Sequence, residues 1–111
     1  MSTKLSLDAV AREQLKVASA ATSGRSAETV YGGHQRVLRQ TLMALTAGTR
    51  MDEHESPGEA TLLVVLGRVE LASGGDRWEG RSGDLLVIPE ARHSLAALED
   101  SAVLLTVAMK G

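Results

Sequence analysis

Three histidines, His34, His54 and His93, are the residues best suited to ligate a metal or relay a proton. His54 lies in the acidic run Asp52-Glu53-His54-Glu55, and His93 follows Arg92 at the head of an apolar stretch. Imidazole combined with carboxylate suits divalent first-row metals, and an open coordination position admits water, substrate or oxygen. Taken singly, each histidine also has a plain reading. His54 reads as a surface residue of an acidic loop, His93 as a hydrogen-bonded histidine at a rim, and His34, after Tyr31-Gly32-Gly33, as a loop residue. Arg68 and Arg92 carry guanidinium groups that could hold an anionic ligand, the alternative being an ordinary charged surface.

Other chemistry is excluded by what the sequence lacks. With no cysteine there are no disulfides and no thiolate zinc sites. No serine stands in a nucleophile-elbow context, and neither a strand-borne G-x-G-x-x-G nor a Walker-type lysine loop occurs. A net charge of −2 gives no basic surplus, so no nucleic-acid partner is expected. Apolar runs are too short to cross a bilayer, and Asp8, Arg12, Glu13 and Lys16 interrupt any leader-like core, so a cytoplasmic protein without membrane contact is expected. Aromatic residues make up only 2% of the 111 residues, so any pocket must be walled by aliphatic side chains. Met43 and Met51 read as core filler, and Trp78 as a packing residue beside a hairpin.

The elements that must position these side chains change character near residue 24. Over residues 6–21, Leu7, Val10, Ala11, Leu15 and Ala18 recur at helical spacing, with Ser6 as N-cap and Gly24 as stop. That helix must lay its apolar face on the domain or on a partner subunit. Strands are predicted over residues 36–46, 61–66, 68–71, 84–88, 93–98 and 102–108, with Ser73-Gly74-Gly75-Asp76 as a hairpin turn. Asp52 and Glu55 are assigned to a solvated loop. Short strands with glycine-rich turns and a single helix define a barrel or sandwich rather than a parallel α/β sheet.

Two stretches resemble the paired motifs of the cupin superfamily. Gly48, five residues, His54, then Ser56, Ala60 and Gly67 follow the spacing of the first motif, with Ser56 and Ala60 standing where that family has a second histidine and a glutamate. Gly83, five residues and Pro89 open the second motif; Ala91 replaces a glycine, His93 arrives one residue early, and Ala97 takes the asparagine position. Fifteen residues separate Gly67 from Gly83, as in compact members, and the resemblance extends to about residue 108.

The resemblance implies an all-β, cupin-type β-barrel (a double-stranded β-helix or jelly roll) over residues 25–111, with one N-terminal α-helix in the segment 1–24. Typical relatives bind Fe, Mn, Ni or Zn through three histidines and a glutamate; at most His54 and His93 survive here. Glu59 adjoins the lost glutamate position but alternates to the other strand face unless a bulge intervenes. A site of two histidines and one carboxylate stays open as an alternative. The preferred expectation is a small-molecule-binding cupin without a metal, its ligand contacted by His54, His93, Ser56 and Arg92. The second is a metal-dependent oxygenase or isomerase using His54 and His93 as ligands, and the third a surface-acting regulatory protein, disfavoured because no helical DNA- or zinc-binding domain fits. Relatives commonly pair, so a homodimer is expected, through the strand over residues 36–46 and the amphipathic helix.

Overall fold

The computed structural model describes residues 4–55 and 58–109. Among them are one helix, α1 (Leu7–Ala20), and nine strands: β1 (Arg25–Tyr31), β2 (Leu38–Leu45), β3 (Arg50–His54), β4 (Glu59–Leu66), β5 (Arg68–Ser73), β6 (Asp76–Arg81), β7 (Leu85–Val87), β8 (His93–Ala97) and β9 (Ser101–Ala108). A five-stranded sheet in the order β1-β2-β9-β4-β7 faces a four-stranded sheet in the order β3-β8-β5-β6. Every strand pairing is antiparallel.

Side-chain alternation explains where the core sits. In β2, Met43 and Leu45 point between the sheets, where they meet Leu62, Val64, Val69, Leu71, Leu95, Val103 and Val107. Leu42 points the other way and joins Ala102, Leu104 and Ala11 of α1 in a second core on the outer face. The five-stranded sheet is thus covered on both sides, which is why β4 and β9 read as near-continuous apolar runs. The helix packs on its own barrel rather than waiting for a partner.

Local chemistry fixes that helix. The Ser6 hydroxyl accepts the Ala9 amide at 3.2 Å as an N-cap. Gln14, buried in the helix, donates from Nε2 to Glu28 at 3.2 Å, while its carbonyl accepts from the Ser26 hydroxyl at 2.7 Å. These two bonds dock β1 under α1. At Gly67 the backbone takes φ +82°, and a Cβ there would strike the Asp100 carbonyl oxygen and the Ser101 backbone, so this turn accepts only glycine.

Four expectations need correction. β1 and β3 were not anticipated: β1 is exposed along most of its length, and β3 is rich in charge, so neither shows the alternation that marks a strand. Asp52 therefore lies in a strand, not a loop. The strand expected over 36–46 runs from Leu38 to Leu45 and pairs on both edges, with β1 and β9, so it offers no free edge to a partner. The helix face is likewise occupied within the chain. Trp78 is 41% exposed on the edge strand β6 rather than packed. Among the described residues, no helix is long and apolar enough to cross a membrane.

Candidate functional site

The site is built where β3 meets β8. Met51 pairs with Leu95 and His54 with His93, so β3 advances three residues while β8 advances two. That extra residue is a β-bulge, and it matters for facing. In a regular strand Met51 and His54 would point to opposite faces; the bulge turns both toward the space between the sheets. Their partners Leu95 and His93, two residues apart, share that face without help.

The two imidazoles meet edge to face, their ring centroids 4.5 Å apart at an interplanar angle of 60°. His93 is 4% exposed, whereas His54 reaches solvent, so the pair spans the mouth of the cavity from inside to outside. Each ring is held the same way. Nδ1 of His54 lies 3.0 Å from the Asp52 carbonyl oxygen, and Nδ1 of His93 lies 3.0 Å from that of Ala91. A carbonyl only accepts, so a proton sits on Nδ1, and in the neutral form of the ring the lone pair is on Nε2. The hydrogen bonds of both rings among the described residues are made by Nδ1.

Behind the pair is a cavity of about 50 Å³ walled by Met43, Met51, Leu62, Leu71, Ile88, Leu95 and Leu105. A water molecule occupies roughly 30 Å³ of liquid, and drug-sized ligands occupy pockets of about 300 Å³ or more. The cavity, open at its mouth, therefore holds a few atoms, not a whole metabolite.

The other candidates fall elsewhere. Arg92 is exposed at the mouth, but its guanidinium is engaged: Nε meets Glu53 at 3.2 Å, Nη2 donates to the Glu53 carbonyl at 3.3 Å, and Nη1 lies 4.0 Å from Glu55. It clamps β3 to β8 beside the histidines. Arg68 lies between Glu79 at 2.9 Å and Glu99 at 3.0 Å, away from the cavity wall. Its hydrogen bonds to them, Glu79 first, raise its own pKa and hold the Glu79 carboxyl below the usual carboxylate range. His34 is an exposed turn residue outside the cavity. Ser56 lies outside the described residues. Met43 and Met51, read as core filler, do pack against the core and also form part of the cavity wall. The alternation in β2 could have shown Met43 facing inward, but the bulge that aims Met51 has no local sequence signal.

A family-type divalent centre does not fit these donors. Ala60, inward-facing and 5% exposed, stands where a carboxylate would complete it, and the neighbouring Glu59 points outward into solvent. No group of three or more His, Cys, Asp or Glu able to hold a metal occurs among the described residues.

No protein-family model matches the sequence, and no curated protein matches it. Solved structures do match in fold. A cupin superfamily protein from Desulfitobacterium hafniense DCB-2 superposes with a TM-score of 0.72 at 17% identity, over 85% of this chain and 88% of that one. A conserved protein of unknown function from Streptococcus pyogenes gives 0.72 at 24% identity, over 82% and 79%. Salicylate 1,2-dioxygenase from Pseudoaminobacter salicylatoxidans gives 0.73 at 21% identity, over 91% of this chain but 31% of that one. The class is thereby defined: two facing antiparallel sheets carrying a histidine pair at one mouth make a β-barrel of cupin type. In fold, this chain is similar to cupin structures of about its own size.

Proposed function

We propose that the chain is a binding cupin that works without a divalent metal. It takes a small ligand whose short apolar tail enters the barrel and whose polar head stays at the mouth. The carrying observation is the wall itself: seven apolar side chains and two imidazoles whose Nε2 atoms are acceptors. Such a mouth favours a head group that donates a hydrogen bond, a hydroxyl above all. Arg92 holds the mouth together through Glu53 and is placed to meet an acidic substituent only by giving up that pair.

The metal-dependent enzyme reading has one observation in its favour, the shared Nε2 lone pairs, the tautomer that metal-bound histidines adopt. It lacks the carboxylate and the third imidazole of the family's usual ligand set. Titration of isotope-labelled protein with short-chain alcohols, followed by NMR, tests the binding reading. Alcohols should shift the His93 ring and the Met43 and Met51 methyl signals, and His93→Ala should abolish the shifts. Shifts confined to residues outside the cavity, or none at all, would overturn it.

A further inference from the structure

An open hollow of about 260 Å³ lies between the β1–β2 connection and the end of β9, lined by His34, Gln35, Arg36, Val37, Arg39 and Met109. Leu38, Ala108 and Glu59 stand side by side on β2, β9 and β4, and the chain enters β4 from His54 at the end of β3. The hollow therefore opens at the same end of the barrel as the histidine pair. It shares no wall residue with the cavity behind that pair.

We propose that this hollow binds a phosphate group, free or as the monoester of a small metabolite, through Arg36, Arg39 and His34. Three observations carry it. The wall holds two guanidinium groups and no carboxylate, in a chain whose net charge is −2. Four other arginines, Arg12, Arg68, Arg77 and Arg92, sit in ion pairs, whereas Arg36 and Arg39 have none among the described residues. Arg39 is also not a fully solvated charge. Its unbroken register with Val107 puts it on the inner side of β2, the side of Met43, and it is half-buried there. A cation drawn out of water ordinarily carries a counter-charge. Finally, the connection is held in place before any ligand arrives. The Arg36 amide donates to the Gly33 carbonyl at 3.2 Å, and the Met109 amide to the Val37 carbonyl at 2.6 Å. Gly32, at φ +91°, sits so close to Leu38 and Arg39 that a Cβ would strike their backbone.

Charge and shape then select the ligand. Two guanidinium groups match the charge of roughly −1.5 to −2 that a phosphate monoester carries at neutral pH. Each guanidinium presents a planar fork of donors that meets two phosphate oxygens at once, and the His34 imidazole adds a further donor. The Arg36 guanidinium carbon lies 6.0 Å from the centroid of the Tyr31 ring. That cation–π contact, at the outer limit of its range, steadies the side chain without neutralising it. Val37, 69% exposed, and Met109 give the hollow an apolar wall for the organic part of a monoester. Volume agrees, since a hollow of about 260 Å³ takes a phosphate with several carbons, which the cavity of about 50 Å³ does not.

This site is separate from the small-ligand cavity, and either can fail alone. The test is an NMR titration of the isotope-labelled full chain with glycerol 3-phosphate, inorganic phosphate and glycerol at constant ionic strength. Both phosphates should shift the amide signals of residues 33–39 in a saturable way, and glycerol should leave those signals in place. Tighter binding of glycerol 3-phosphate identifies a monoester as the ligand; equal or tighter binding of inorganic phosphate identifies the free ion. Arg36→Gln and Arg39→Gln, whose folding circular dichroism verifies, should each weaken binding about tenfold, and the double variant should abolish it. Arg77→Gln and His93→Ala should leave it unchanged. Absence of a saturable shift, an equal response to glycerol, equal shifts around Arg25, Arg50 and Arg81, or affinity that survives both arginine changes would overturn the proposal. If phosphate fails while the alcohol titration succeeds, only this second site is lost.

Discussion

His93 and His54 face each other because the backbone leaves their rings little choice. Each Nδ1 is bound to the carbonyl two residues earlier in the chain, and each ring then turns Nε2 away from that bond. The cupin resemblance, carried by the spacing from Gly48 to His54 and from Gly83 to Pro89, is what singled out this pair in the sequence. The glycines behind that spacing are also open to test, because two of them should differ. Gly48 takes φ +86° with no atom within 4 Å of an added Cβ, so Gly48→Ala should cost only the left-handed strain, about 1–2 kcal/mol. Gly67 adds a collision with the Asp100 and Ser101 backbone to the same strain, so Gly67→Ala should cost clearly more, with equilibrium urea unfolding as the measurement. Equal losses would contradict the turn geometry described for Gly67.

Strand facing decides which donors reach the cavity. Because the side-chain period is two, the count of residues between Met51 and His54 sets the direction of His54. Deleting Asp52 alone should remove the bulge, leave His54 two positions after Met51 and keep it opposite His93. Deleting Asp52 and Glu53 together should turn His54 outward. Ring-to-ring NMR contacts between His54 and His93 should persist in the first variant and vanish in the second. The same scale shows what sequence could not supply. Apolar runs announced β4 and β9, and helical spacing with a Ser6 cap announced α1. β1 and β3 lie at sheet edges with much of their surface in water, so burial never wrote an alternation into Ser26-Ala27-Glu28 or Arg50-Met51-Asp52. The bulge that joins Met51 to His54 follows from pairing with β8, a contact some 40 residues away in sequence.

The whole molecule is a barrel whose fold was readable and whose chemistry was only partly so, since fold does not fix function. The glycine and proline registers pointed to the architecture. Cavity volume, the engagement of Arg92 by Glu53 and the sulfur content of the wall all depend on packing between distant strands. Association belongs to this scale too. With β2 and the helix face used internally, the free edge at β7 is where we expect two copies to meet. Leu85 and Val87 there are 61% and 73% exposed, and an edge strand can pair antiparallel with its own copy across a two-fold axis. Light scattering at micromolar concentration should give a dimer mass that Val87→Lys reduces to a monomer; a monomeric wild type would contradict this.

Elemental analysis of protein purified without chelator decides whether the barrel works without a divalent centre. Mn, Fe, Ni and Zn should each be found far below one per chain. Stoichiometric divalent metal that disappears in His54→Ala and His93→Ala would contradict it.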